Sequence, residues 1–390
     1  MKKIFLLFVS TICMAQSVTK TIHLLPDTGQ NGSYTSTFGE DNDYVINTPS
    51  FTNNNNGTIT DNVTGLMWQQ VDGGEMTIEN AQLYCESMTL AGYSDWRLPS
   101  PLESFSILNH QNNNPAMNTT YFTASDAEYW WTNSFQVGDA TKVWCTNAGG
   151  GIGNKPKSET ISAGGTKKYH VRAVRDISKA NVLANHFTDN GDGTITDNLT
   201  QLVWQKTPNN SAQTWENALT YAEGLSVGTA TDWRLPNIKE LQSLNDESLS
   251  NPSANTTFFP TIGVHNYWSG TSLPNQTTKA WFWNTQFGIT SYDVKTNVND
   301  VICVRGNPSL LAVQVPSTTK ENRVYPNPFS SCINVDSVNK QQSYSLFDSA
   351  GACIFRGNNI EKQNFSNLAK GLYFLRINDD QSATIKLIKE

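Results

Sequence analysis

The stretch YSDWRLPSPLE (residues 93–103) returns as ATDWRLPNIKE (residues 230–240). Outward from this frame the likeness continues in both directions. FTNNNNGTITDNVTGLMWQQ (51–70) matches FTDNGDGTITDNLTQLVWQK (187–206), and NPAMNTTYF (114–122) matches NPSANTTFF (251–259). Trp131 and Trp144 match Trp268 and Trp281, and the copies close on VRAVR (171–175) and VICVR (301–305). A unit of this length is a whole domain, too long for a solenoid repeat. The chain builds one fold twice.

Within a unit, GTITDN and GLMWQ alternate polar and apolar residues around turn formers, the pattern of a hairpin. TWENALTYAEGL (214–225) places Thr214 at a helix cap, with Asn217 three residues on and apolar residues at helical spacing. NIKELQSL (237–244) predicts a second short helix begun by Pro236. YWSG, KAWFWNTQFG and VICVRG read as strands. The expected unit is α+β, with two short helices and a mostly antiparallel sheet. Asp95, Trp96, Arg97 and their counterparts Asp232, Trp233, Arg234 then fall between the helices. They read either as a binding cluster or as a buried Trp beside an Arg–Asp pair that pins the loop. We take the structural reading, because no other titratable group accompanies the frame.

The chain has 390 residues, enough for two or three domains. Only 16 % are charged and 37 % hydrophobic, while Asn, Thr, Gly and Ser abound, which suits loop-rich extracellular domains. Residues 1–15 read as a secretory leader: Lys2 and Lys3, an apolar run, then small residues. The run is too short to cross a bilayer, and no other segment reaches transmembrane length. Beyond the leader stand Cys85, Cys145, Cys303, Cys332 and Cys353. Export permits disulfides, and an odd count leaves one unpaired or pairing between chains. Cys85 occupies the position of Ala222, and Cys303 that of Ala173. Each repeat thus keeps the opposite half of one helix-to-strand bridge. Three arrangements stand open: orphan halves, a Cys85–Cys145 bridge, or a Cys85–Cys303 bridge across the repeats. Cys332 and Cys353 lie on segments that could be neighbouring strands and could pair.

Enzyme motifs are absent. The five histidines stand at no ligand spacing, and there is no nucleophile elbow, Ser/His/Asp pattern or P-loop. The DNGDG at 189–193 invites calcium, but its spacing is not that of an EF-hand, and NNNNG at the same place in the first copy makes a hairpin turn the simpler reading. The net charge of −7 understates the acidity of the repeats, since the leader and the last 70 or so residues are each net positive. Acidic repeats argue against nucleic acid and other polyanions. One local exception is Lys155, Lys157, Lys167 and Lys168, joined by Arg172, Arg175 and Lys179, which marks a basic loop as the place for any acidic glycan. Among the tryptophans, those that recur in both copies read as core, and Trp283 shares a strand face with Trp281. Trp130 remains a candidate for stacking on a sugar.

The motifs LPDTGQ (25–30), GTITDNVTGLMWQ, YSDWRLPS, WWTNS and VRAVR together resemble the Lcl C-terminal domain family, across both repeats. The order of helix, WRLP, Glu and a closing Cys-Val-Arg also resembles the C-type-lectin-like fold. That resemblance implies a first-helix cysteine bridged to the last strand, and Cys85 and Cys303 would suit halves of such pairs. It implies an adhesin-like binding protein for glycans. The lectin calcium motifs Glu-Pro-Asn and Gln-Pro-Asp are missing, so calcium-dependent chelation of sugar does not carry over. The RLP…E run is similar to formylglycine-generating enzymes, whose cysteine pair has no counterpart here. The tail segments VYPNPFSSCINVDS (324–337), YSLFDSAGACIFRG (344–357) and LAKGLYFLRIND (368–379) resemble the C-terminal sorting domain of the type IX secretion system, opened by Tyr325, Pro326, Asn327 and Pro328.

The expected organisation is a leader at 1–15, a first lectin-like domain at 17–177, a second at 186–306, a linker at 307–322 and a small all-β sandwich tail at 323–390. The expected protein is a secreted or outer-surface, non-enzymatic binder without a required cofactor. Its partners would be the type IX machinery and an extracellular glycan or surface protein. The rival expectation is a structural module that contacts proteins and binds no sugar.

Overall fold

A computed structural model of the chain describes residues 18–160, 164–306, 323–336, 343–349, 351–378 and 383–390. The leader and the linker expected from the sequence lie outside these residues. The described chain is rich in β structure, with four α-helices. A ribbon of β1 (Val18–Lys20) and β10 (Asn181–Leu183) joins the start of the chain to the junction between the repeats.

Each repeat contains two sheets. In repeat 1, β2 (Phe51–Asn53), β3 (Thr58–Asp61), β4 (Leu66–Gln69) and β9 (Val174–Asp176) form an antiparallel sheet in that order. Helices α1 (Ile78–Ser87) and α2 (Pro101–Ser106) follow. The second sheet runs β7 (Ile152–Pro156), β6 (Asp139–Asn147), β5 (Tyr129–Gln136), β8 (Tyr169–His170). Repeat 2 repeats the plan. Its first sheet is β11 (Phe187–Asp189), β12 (Thr194–Asp197), β13 (Leu202–Gln205) and β19 (Val304–Gly306). Its helices are α3 (Trp215–Gly224) and α4 (Ile238–Ser243). Its second sheet orders β14 (Asn209–Gln213), β18 (Asn299–Val301), β15 (Asn266–Ser272), β16 (Lys279–Asn284) and β17 (Ile289–Val294). The expected hairpin forms in both copies. VICVRG, expected as one strand, is two: β18 serves one sheet and β19 the other.

The repeated frame is structural, but its ion pairs differ from the expected Arg–Asp pair. Trp96 and Trp233 are buried in the cores. Asp95 and Asp232 turn away from their neighbouring arginines and pair with Arg175 and Arg305 of the closing strands, at 2.7 and 2.6 Å. Arg97 and Arg234 instead grip Glu103 and Glu240 with two guanidinium nitrogens each. Those glutamates are the third residues of capping boxes on Ser100 and Asn237, so the arginine fixes the carboxylate that starts the helix. Pro236 accordingly precedes the cap of α4 and does not begin the helix, whereas Pro101 does begin α2.

Each repeat has a private core beneath its first helix. One contains Ile78, Ala81, Cys85, Trp96, Trp131 and Cys145; the other contains Trp215, Ala218, Ala222, Trp233, Trp268 and Cys303. A third, larger cluster is common to both, with Trp68, Trp144 and Phe122 from one repeat packed in continuity with Trp204, Trp281 and Phe259 from the other. At the junction α2 meets α4 and β7 meets β17. Equivalent elements touching each other is the signature of two-fold packing.

The chain before repeat 1 does not stay with it. Residues 27–44 form a strap laid over repeat 2. The Gln30 amide exchanges two hydrogen bonds with the main chain of Ser272. Asp41 accepts from Thr28 and Thr271, Thr35 donates to Glu216, and Tyr44 donates to Glu223. The first domain expected at 17–177 is thus interleaved with the second. In the tail, a ribbon of β20 (Arg323–Tyr325) and β21 (Asn334–Asp336) accompanies a four-stranded sheet. The sheet is ordered β23 (Cys353–Gly357), β22 (Ser343–Asp348), β24 (Gly371–Asn378), β25 (Ala383–Lys389). Phe329, Leu346, Leu375 and Leu387 form its core. Asn327 of the opening motif exchanges hydrogen bonds with the main chain of Lys386 and Ile388 on the last strand.

Candidate functional site between the repeats

The meeting of edge strands β7 and β17 leaves a groove of about 850 Å³. Its floor is Trp281, which is 3 % exposed, with the Tyr292 ring edge-on to it at 5.6 Å. The turn 147–152 forms one wall. Asn147 accepts from the N–H groups of Gly149 and Gly151 and shapes that turn. Gly150 is needed there: its φ is +99°, and a Cβ would stand 3.2 Å from Ala116 and 3.4 Å from Trp281. Ile152 donates its N–H to Thr290 Oγ1 at 2.9 Å, which locks the two repeats at the base of the groove. The other wall carries Tyr129, Asp126 and Glu128. Trp281 Nε1 and Asn154 Nδ2 are buried donors with no acceptor in the protein.

Of the basic loop, Lys155 and Lys167 reach this groove, with their ammonium groups 5.6 and 5.2 Å from the centre of the Tyr129 ring. The rest does not assemble with them. Lys157 pairs with Glu79 at 2.8 Å, Lys168 pairs with Asp126, and Lys167 itself pairs with Glu159 at 3.0 Å. Arg172 is buried beside Asp72, and burial lowers it to about 10. Arg175 is committed to Asp95. The loop is therefore largely neutralised by carboxylates that its own neighbourhood supplies.

Trp130 is not available for stacking. It is buried, and its indole donates to Asp72 at 3.1 Å. Asp72 also receives His170 Nδ1 at 3.0 Å. Burial pushes the Asp72 carboxyl up, but hydrogen bonds from Ser125 and Trp130 and the Arg172 charge outweigh it, so the group lies below the usual range. Trp131, Trp144, Trp268, Trp281 and Trp283 are core, as expected.

The described cysteines form no disulfide. Cys85 and Cys145 share the private core of repeat 1, and Cys303 lies in that of repeat 2, so the bridge across the repeats has no geometric basis. Burial pushes the Cys85 thiol up to about 12 and the other two well above the ordinary value, which leaves them unreactive. Cys332 and Cys353 are also free. In the DNGDG turn, Asp189 pairs with Lys206 at 2.6 Å and Asp192 accepts from Thr194.

Sequence reasoning missed the aromatic side of the groove. Tyr292 stands at the position of Lys155 when the repeats are superposed in sequence, and Thr290 at that of Gly153. The signal lay where the copies diverge, while attention to their shared residues led into the core.

Profiles of known families match the chain in three places. The Lcl C-terminal domain matches at 57–175 and again at 193–305. The chain belongs to the Lcl C-terminal domain family. A secretion system C-terminal sorting domain matches at 323–390. No curated protein matches the chain. The two Lcl C-terminal domains coincide with the two repeats, and the groove lies at their junction. The sorting domain marks a protein exported by the type IX system and either secreted or attached at the cell surface, with the export machinery as partner. Among the described residues no helix is long and apolar enough to cross a membrane.

Proposed function

We propose that this exported protein is a non-catalytic, C-type-lectin-like binder whose inter-repeat groove takes a neutral glycan. The observation that carries the reading is the lining. Tyr129 and Tyr292 offer aromatic surface above the buried Trp281, and Asn147, Asn154, Thr290 and Ser291 offer amides and hydroxyls. The lining is mainly polar, with aromatic rings set among amides and hydroxyls; that mixture suits a hydroxyl-rich ligand, and ring faces suit the apolar face of a sugar. The charges at the rim are mixed, Asp126 and Glu128 against Lys155 and Lys167. That balance favours a neutral ligand over a sulfated one.

Two further points support binding over catalysis. A glycosidase needs one carboxyl held protonated. Asp126 is instead held below the usual range by the hydrogen bond from Lys168. The hydrogen-bonding groups of the groove need no calcium to hold a sugar, so binding should survive chelator.

The test is a glycan array with the full mature protein, with and without calcium and at two salt concentrations, followed by titration of the hits. A neutral saccharide bound independently of salt, and weakened about tenfold (~1.4 kcal/mol) by Tyr292→Ala or Tyr129→Ala, supports the groove. Absence of any glycan ligand, or binding indifferent to both changes, moves the function to protein contact.

A further inference from the structure

A second, smaller cleft of about 230 Å³ also lies at the repeat junction, lined by residues of both repeats. It is formed where the start of α2 meets the end of α4, and Ser100, Leu102, Gln242, Asn245 and Glu247 line it. Gln242 is 2 % exposed, and neither atom of its amide has a hydrogen-bond partner in the protein. A buried amide left with both its donor and acceptor unused is costly unless something meets it.

The two-fold relation between the repeats shows what belongs there. The equivalent place, where the start of α4 meets the end of α2, is occupied. The strap fills it as an extended peptide: Asp27 O accepts from Lys239 at 2.8 Å, Thr28 O accepts from the His110 N–H at 2.9 Å, and Gly29 packs on Asn109. Asn237, in the position of Ser100, reaches the Asp27 carboxylate at 3.4 Å. Recognition is mainly through main-chain carbonyls, so it depends on extended backbone more than on sequence. The chain that precedes repeat 2 cannot reproduce this at the other cleft. It is held in the ribbon with β1 and reaches the lining only through His186; Thr19, Thr21 and Ile22 of the opening segment close one side of the cleft but leave the Gln242 amide unmet.

We propose that the second cleft is a docking site for an extended peptide from another polypeptide, bearing a basic side chain where the strap bears Asp27. The change of charge follows from the lining. Lys239, which faces Asp27, is replaced at the cleft by Leu102. Asn109 and His110 are replaced by Asp246 and Glu247, both of which line it. A site that lost its cation and gained two carboxylates selects an ammonium or guanidinium group. Its volume falls below the roughly 300–1,000 Å³ of ordinary ligand pockets, too small for an oligosaccharide and suited to two or three residues of extended chain.

The probe is the strap sequence with the charge reversed. N-acetyl-LPKTGQ-amide and N-acetyl-LPDTGQ-amide are titrated into the full mature protein by calorimetry. The lysine peptide is expected to bind at least tenfold more tightly than the aspartate peptide. Glu247→Gln and Gln242→Leu should each weaken it at least tenfold, while the groove change Tyr292→Ala leaves it unaltered. Gln242→Leu also removes two unpaired polar atoms, so its melting temperature should not fall, which separates lost binding from lost fold. Equal affinity for the two peptides overturns the proposal, as does no binding at millimolar peptide. Displacement of the lysine peptide by a monosaccharide at this cleft would assign it to sugar and overturn it equally. Failure here leaves the groove between β7 and β17 untouched, because Tyr292 reports on that site alone.

Discussion

Lys239 of repeat 2 donates to the main-chain carbonyl of Ser106 in repeat 1 at 2.7 Å and to that of Asp27 in the strap at 2.8 Å. One buried ammonium thus holds both repeats and the strap. Lys239→Met removes three donors and leaves two buried carbonyls without a partner. It should cost about 2–4 kcal/mol by urea unfolding. Burial lowers Lys239 to about 8 from the usual 10.5. Between those values the unfolded chain holds the proton more tightly, so stability attributable to this group rises with pH from about 8 to 10.5. That slope should be absent from Lys239→Met.

Asp27 titrates in the opposite sense. Burial, first of all, raises it to about 6. The folded state holds a proton between pH 3.8 and 6 that the unfolded chain has released, so the stability this gives is full below pH 3.8 and lost as pH rises through 6. Asp27→Asn should therefore gain on the native protein as pH climbs through this window. A gain of about 3 kcal/mol follows from the two-unit shift, before the loss of the carboxylate's own hydrogen bonds. Paired unfolding curves at pH 4 and pH 7 decide it, and a difference that does not change with pH would refute it.

The two arginines of the repeated frame should differ in weight. Arg234 and Glu240 are buried together, whereas the Arg97 side chain is 31 % exposed and also touches Asp176. Arg234→Ala leaves Glu240 buried and unpaired, at about 3–5 kcal/mol. Arg97→Ala should cost clearly less. Asp95→Asn and Asp232→Asn, on exposed pairs, should cost about 0–1 kcal/mol. Chemical denaturation of the four variants ranks them.

The common core predicts a single unfolding transition for the tandem repeats. Trp131→Ala and Trp268→Ala lie in different private cores, yet each should lower the same midpoint, by about 3–5 kcal/mol. Two transitions in calorimetry, each sensitive to only one variant, would show independent repeats.

Thiol chemistry gives a fast check. Cys353 is exposed and Cys332 half-buried, while Cys85, Cys145 and Cys303 are buried. A thiol reagent should label Cys353 first and Cys332 more slowly. The other three should react only in denaturant, and reductant should leave the melting temperature unchanged.

The duplication, the hairpins, both helices and the tail's strands were legible because turn residues and periodicity are local signals. Thr214 stands at its expected cap position but its side chain accepts no capping hydrogen bond there, whereas its counterpart Thr77 accepts from the N–H of Asn80. The partners of Asp232 and Arg234 were not legible, since each has an oppositely charged neighbour in sequence and chooses one 73 or 6 residues away. The choice depends on where the closing strand passes. The strap escaped entirely: LPDTGQ looks like part of repeat 1 because it stands next to it, and nothing in six residues says that Gln30 will meet Ser272. Lys155 and Lys167, singled out in the sequence, do line the groove proposed as the binding site. Tyr129 stands on the same repeat as those lysines, while Tyr292 lies on the other, and only the packing of β7 on β17 brings it across.

The strap also imposes an order in time. Asp41 and Thr271 are 230 residues apart in the chain. At roughly 5–20 residues per second of synthesis, Thr271 emerges roughly 10–50 s after the aspartate it will hold. Until then the Asp41 carboxylate lacks the Thr271 hydroxyl and has only Thr28 of its own segment as a donor. The second repeat completes its surface with a segment made before the first repeat, so a cut or tag near residue 27 should be felt in repeat 2 and at the junction, where Lys239 and His110 hold the strap.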